Sequence, residues 1–580
     1  METATENNAE YPYKGILLPD CSVAKDSIFH NLDEYNQWIE EIPIASPLES
    51  AKAVFKALFD MNRTELNSET RMNGLEALLT PVGQFTQGLL GRYNATTFPM
   101  SEKNYKIALL VREIFLELVI GYKHIITEHI EKSEVNNKRN MHSIAIHRMM
   151  HFLNQVLFNS YLIYESYPKH TWLELHMLFT YSSINKLDLL PVEIKLANET
   201  SRTFTARQLY VKAILLSAAS PYQLRQREMM ILFDKLDGYT SWVKLSVNKE
   251  EKLSSGFIIN LHSDKPPLHI SSGQNAMGKQ FFILQTAALI EQIKQSQIDE
   301  GLVISDHLKL ILLRNWGEAP QRKYVRTKLN FDLKIAAGLN EIHQLVVGTT
   351  GRHLPKSLLT RSKTERESLK RTSLFDTSTL EEDLSVLTIE STNSTGREQG
   401  NYLSSGPVEN RHDVDASDLI EDMPEKPENI HDCKTVNEST GGYCIDWPQS
   451  NAPKVRVGEL IGIQSAVKHQ DFALSIARWL KCLPNNQILV GIELISQSCQ
   501  AVEVRPDKVI AKHKTIEYFP ALIFSKPSQE SDYIIVPANK FNPDDRLLIK
   551  QKDGSQKKAK LSKLIESTGI FSRYICKAIN

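Results

Sequence analysis

The sequence is poor in everything that would mark an exported, membrane-spanning or metal-stapled protein. Its 580 residues include six cysteines, Cys21, Cys433, Cys444, Cys482, Cys499 and Cys576. They are scattered without a CxxC pair, which argues against a disulfide framework or a zinc ribbon and fits a reducing cytoplasm. Neither sign of charge is in excess: 68 basic and 69 acidic side chains leave a formal net charge of −1. No global field draws the chain to nucleic acid or an anionic membrane, so any anion site must be a local cluster. The opening METATENNAEYPYKG lacks a basic stretch followed by an apolar one and does not read as a secretory signal. The longest apolar run, IALLVREIFLELVIGYKHII (107–126), carries Arg112, Glu113, Glu117 and Lys123. Such charges are costly in lipid, so no transmembrane segment is expected and the run reads as a buried amphipathic helix. No nucleophile and base stand at a spacing that implies catalysis, so no enzymatic activity, cofactor or catalytic residue is expected.

What is present is ordinary globular composition, 41% hydrophobic and 24% charged, with length for several cores. After an N-terminal tail (1–29), apolar residues recur at three and four through LESAKAVFKALFDMN, NYKIALLVREIFLELVIGYKHIITEHI and ARQLYVKAILLSAA, so residues 30–235 are expected to form an all-α domain. From 236 to 317 the period changes: TSWVKLSV and SSGFIINLHS alternate as strands and FFILQTAALIEQIKQ reads as a helix, giving a small α/β connecting segment. Short strands punctuated by Gly, Pro and Asn fill 318–505 and suggest a β-barrel. Its interruption at about 350–431, dominated by Ser, Thr, Asp, Glu and Asn, has the composition of a disordered insertion. Residues 506–580 read as a C-terminal β extension. The expected class is α+β and multidomain.

Two arginines four apart, Arg322 and Arg326 in QRKYVRTKLNFDLKIAAGL (321–339), stand directly before an alternating strand pattern. Beyond the insertion, NESTGG sets Asn437, Ser439 and Gly442 in an N-x-S-x-x-G pattern at the entry to the strand YCIDW. Together with the later ARWLKCLPNNQILVGIEL, these residues resemble the PilZ-domain family, a six-stranded β-barrel associated with the bacterial messenger cyclic di-GMP. The N-terminal helices and GFIINLHSDKPP look like members of that family with a long helical region ahead of the barrel.

The resemblance implies that Arg322 and Arg326 form an arm against the ligand and that Asn437, Ser439 and Gly442 form the opposing turn. Trp479, Gly491 and Glu493 match the later strand pattern and imply fold rather than ligand contact. The chemistry is consistent: the ligand offers two phosphates and guanine O6 and N7 acceptors, and a planar guanidinium can meet either with two bonds. Gly442 would let the backbone approach closely. The implied function is a cytoplasmic bacterial signalling effector with cyclic di-GMP as regulatory ligand. It would act through an unknown protein partner, for instance of surface-motility or biofilm machinery. The alternative is a degenerate PilZ-like scaffold or assembly protein that binds no nucleotide.

Two other patterns compete. GQNAMGKQ (273–280) matches G-x-x-x-x-G-K, between LHI, read as a strand, and FFILQTAALI, read as a helix, and would imply a nucleotide hydrolase. It ends in Gln280, however, where a phosphate-binding loop needs a hydroxyl for Mg²⁺. His147 and His151 have the spacing of a zinc pair, but Arg148 stands where the metalloprotease motif has glutamate and no third ligand follows. They are expected to be satisfied or exposed helix histidines.

Overall fold

The structure, a computed structural model, describes residues 15–22, 28–195, 201–247, 256–272, 281–295, 304–317, 327–328, 330–349, 430–439, 441–448, 453–465, 472–484, 487–507, 517–525 and 532–579. Arg322, Arg326, the 273–280 loop and the insertion from 350 to 429 lie outside the described residues.

The helical pattern folds as a run of α-helices from Leu32–Glu40 to Gln226–Tyr239. Its spine is Glu102–Glu131, 30 residues long, with Ser101 as N-cap accepting from the Asn104 amide. Ile107, Val111, Ile114, Leu118, Tyr122 and Ile125 recur at three and four on this helix and are all buried, packing it against Arg139–Leu162. The charges on its apolar run are paired inside: Glu117 accepts from Asn62 at 2.7 Å, and Lys123 lies 2.7 Å from Glu174. The same buried pair grips the N-terminal segment, since Lys123 donates to the Ile16 carbonyl (2.7 Å) and the Ile16 amide donates to Glu174 (2.8 Å). Among the described residues no helix is long and apolar enough to cross a membrane.

The connecting segment is a four-stranded antiparallel sheet in the order Lys244–Val247, Phe281–Gln285, Phe257–Asn260, Leu268–His269. FFILQ is therefore the strand between two partners, and the helix expected there starts only at Ala287. A short apolar run is ambiguous by period alone, and here pairing on both edges decides it. The glycine-rich loop leads into a strand, without the helix N-terminus that cradles phosphate in a nucleotide-binding loop.

The first barrel closes six antiparallel strands in the order Asp332–Ala337, Leu460–Ser465, Ala473–Cys482, Ile488–Ser496, Gly442–Trp447, His431–Ser439, and back to Asp332–Ala337. Leu333, Ile335, Ile445, Trp447 and Ile461 fill it, and they belong to one continuous apolar core with the N-terminal helices. A second closed barrel follows. Its strands run Gln500–Pro506, Phe519–Ser525, Asp532–Pro537, Phe571–Ile579, Gln556–Ser567, Arg546–Lys550, around Val504, Ile534, Leu547, Leu561 and Tyr574. Closure satisfies every edge, which a loose β extension could not do. Helix Leu339–Thr349 is wedged between the barrels, with Leu339 and Ile342 packed among Leu460 and Leu474 of the first and Phe524 and Phe571 of the second.

Candidate functional site

The residues that follow Arg326 meet the half-motif of the turn at the strand His431–Ser439. Thr327 and Lys328, the residues that follow Arg326 in the chain, form a two-residue strand in which Thr327 pairs with Glu438 and Lys328 with Asn437. The polypeptide leaving Arg326 is thereby delivered to the strand that carries Asn437 and Ser439. Arg322 stands five residues before Thr327, a span that an extended chain covers in at most roughly 17 Å.

The turn is built as the motif requires. Ser439 pairs with Gly442 across the hairpin, and its hydroxyl donates to the Gly442 carbonyl at 3.3 Å. Gly442 has φ +155°, and a Cβ at this position would collide with the carbonyl oxygen of Ile492 on the next strand. Only glycine suits this close approach. Behind the turn, Trp479 is paired with Gly491 and its indole occupies the space a Gly491 side chain would need. Glu493, opposite Gly442, accepts from Arg478 at 2.6 Å. Arg478 also forms an ion pair with Glu566 of the second barrel, which Arg573 joins at 3.2 Å. Burial works to raise the Glu566 carboxyl, but the hydrogen bonds and charge of Arg478 and the charge of Arg573 outweigh it and hold the group below its ordinary range.

One irregularity shapes the face around the turn. Cys444 pairs with Asn437 but Ile445 pairs with Thr435, so Val436 is an extra residue, a β-bulge. Directly paired residues share a face of the sheet. Gly442, Cys444 and Asp446 alternate with the interior residue Ile445, so their partners Ser439, Asn437 and Lys434 all face outward, and Lys328 joins them opposite Asn437. Next to the turn lies an open cleft of ≈ 410 Å³, lined by Lys328, Asn330, Lys434, Thr435, Val436 and Asp446. Asp446 Oδ2 accepts from the Gln487 amide at 2.7 Å. Lys328, Lys434 and Asp446 were not recognisable from the sequence, where simple alternation puts Lys434 and Asn437 on opposite faces.

His147 is buried rather than exposed. Its Nδ1 lies 3.1 Å from the Arg148 guanidinium, and burial, reinforced by that charge, pushes it down to about 3. Burial also pushes His151 well below its ordinary value, and among the described residues neither Nε2 has a hydrogen-bond partner. Among the described residues no cluster of three or more His, Cys, Asp or Glu could hold a metal ion.

Comparison with known proteins agrees with this geometry. Residues 33–251 match a family described as Cyclic-di-GMP receptor FimW, N-terminal domain, and residues 256–501 match Cyclic-di-GMP receptor FimW, middle PilZ domain. The second barrel lies almost wholly beyond these two stretches. A curated relative from Pseudomonas aeruginosa, the Cyclic-di-GMP receptor FimW, is 24% identical over 559 residues, covering 93% of this chain and 89% of that protein. No solved structure matches. A closed six-stranded barrel with the N-x-S-x-x-G turn on its rim, preceded by a long helical region, places the chain in the PilZ-domain family.

Proposed function

We propose that this chain is a cyclic di-GMP receptor, with the ligand seated on the outward face of the first barrel between Arg322 and Arg326 on one side and Asn437, Ser439 and Gly442 on the other. The observation that supports it most is the pairing of Thr327 and Lys328, which follow Arg326 in the chain, with Glu438 and Asn437 on the strand of the turn. The relative from Pseudomonas aeruginosa, a cyclic-di-GMP receptor, supports the same ligand. The protein acts in the cytoplasm as a non-enzymatic effector. Ligand binding shifts the population of barrel conformers, and the output passes through contacts with a partner protein.

Calorimetric titration with cyclic di-GMP tests the reading. Arg322→Ala and Arg326→Ala are each expected to lower affinity ten- to a hundredfold, the worth of a charge-assisted forked contact of roughly 1.5–3 kcal/mol. Arg326→Lys should fail as well, because an ammonium keeps the charge and loses the fork. Absence of binding at about 100 μM ligand, or arginine variants that bind like wild type, would overturn it.

A further inference from the structure

We propose that the site extends past its motif, with Asp446 reading the Watson–Crick edge of a guanine and Lys328 and Lys434 holding the phosphates beside it. This assignment rests on the cyclic di-GMP reading above and adds to it the determinant of purine specificity.

The argument begins with the bulge at Val436. It turns Lys434 to the face that carries Asn437 and Ser439, and so places Lys434, Lys328 and Asp446 around one cleft adjoining the turn. At ≈ 410 Å³ the cleft falls within the range of small-molecule sites, roughly 300–1,000 Å³. Lys434 has the carboxylates of Asp446 and Asp332 as cross-strand neighbours, yet among the described residues no direct ion pair holds it, and none engages Lys328. Two ammonium groups and one carboxylate on the cleft leave a net positive balance, and a phosphate can accept from both ammonium groups.

Asp446 supplies a different function. Gln487 engages Oδ2, while Oδ1 has no partner among the described residues, and a carboxylate offers about four lone-pair positions. Guanine presents two adjacent donors, N1–H and the N2 amine, which match the two oxygens of a carboxylate. Adenine presents an unprotonated N1 in the corresponding position, so acceptor would face acceptor. A group left unpaired in this way is what gives polar sites their strong discrimination.

The test is titration of the full chain with cyclic di-GMP and with cyclic di-AMP. Asp446→Ala is expected to weaken cyclic di-GMP tenfold or more while leaving cyclic di-AMP unchanged, so that the preference between them shrinks by the same factor. Lys434→Ala should weaken both dinucleotides alike and flatten the dependence on salt. Gln487→Ala removes the amide from which Asp446 Oδ2 accepts, with Asp446 itself retained, and should bind nearly as wild type does. If Asp446→Ala misfolds, the near-isosteric Asp446→Asn makes the same comparison, since its amide cannot accept from both guanine donors. Wild-type affinity in the Asp446 variants, or equal losses for both dinucleotides, would overturn the assignment and leave the receptor reading standing. A wild-type protein that binds no cyclic di-GMP would overturn both.

Discussion

The chain carries two closed six-stranded antiparallel barrels, and they dispose of their surface cations differently. On the second, three outward lysines are neutralised from its own sheet and loops: Lys550 by Glu503 at 2.9 Å, Lys558 by Asp507 at 3.2 Å and Lys560 by Asp544 at 2.6 Å. On the first, Lys328 and Lys434 border an open cleft and have no such partners among the described residues. Strand count and closure are common to both, so the architecture does not itself make a binding face. What sets the first barrel's face apart is where its bulge falls: at Val436 it gathers Lys434 onto the side of Asn437, beside a cleft.

The comparison can be broken at its glycines. Gly442→Ala is expected to cost the first barrel about 3–4 kcal/mol, because the new methyl meets the Ile492 carbonyl on a rigid neighbouring strand and the backbone is strained besides. Thermal unfolding checks it, and a loss under 1 kcal/mol would mean the turn adapts freely. Next in size is Arg478→Ala, which leaves Glu493 and Glu566 short of a shared cation at the junction of the barrels and should cost about 1–3 kcal/mol without changing the ligand preference.

The same junction has a pH signature. Glu566 has its folded value depressed, so its contribution is fully present above the ordinary carboxylate range and is lost as pH falls through the depressed value. Acid titration of wild type against Arg478→Ala should show the difference between them shrinking only in that acidic window. Gly554→Ala in the second barrel, at φ +81° with open space around it, is a smaller perturbation of about 1 kcal/mol, visible in the same melt. Smallest of all, Lys560→Ala should change stability by less than about 0.5 kcal/mol and cyclic di-GMP affinity not at all, as befits an exposed ion pair. A measurable loss of affinity there would show that the second barrel shares in ligand binding.

Much of this was legible in the chain itself. Helical spacing announced Glu102–Glu131 because its apolar residues fall on one stripe, and alternation announced the barrel strands because one face is interior. The turn Asn437, Ser439, Gly442 could be picked out through its resemblance to the PilZ motif, and the geometry accounts for Gly442, where a Cβ would meet the Ile492 carbonyl. Three things could not be read. FFILQ is a strand because partners lie on both sides of it, which nothing within five residues reveals. Closure of the second barrel depends on register between Gln500–Pro506 and Arg546–Lys550, strands far apart in sequence. The face shared by Lys434 and Asn437 depends on one extra residue, Val436, which inverts the parity that alternation assumes.

The continuous apolar core from the N-terminal helices into the first barrel makes the two regions one thermodynamic partner. A ligand that binds only the folded barrel raises the melting point of everything that unfolds with it, by roughly 2.7 kcal/mol of added stability at a hundred times its dissociation constant. The indole of Trp172, fully buried among the helices and remote in sequence from the barrel, thus becomes an intrinsic sensor of occupancy at the turn. Tryptophan emission during a melt, to which Trp447 and Trp479 of the barrel also contribute, would register binding without any added label.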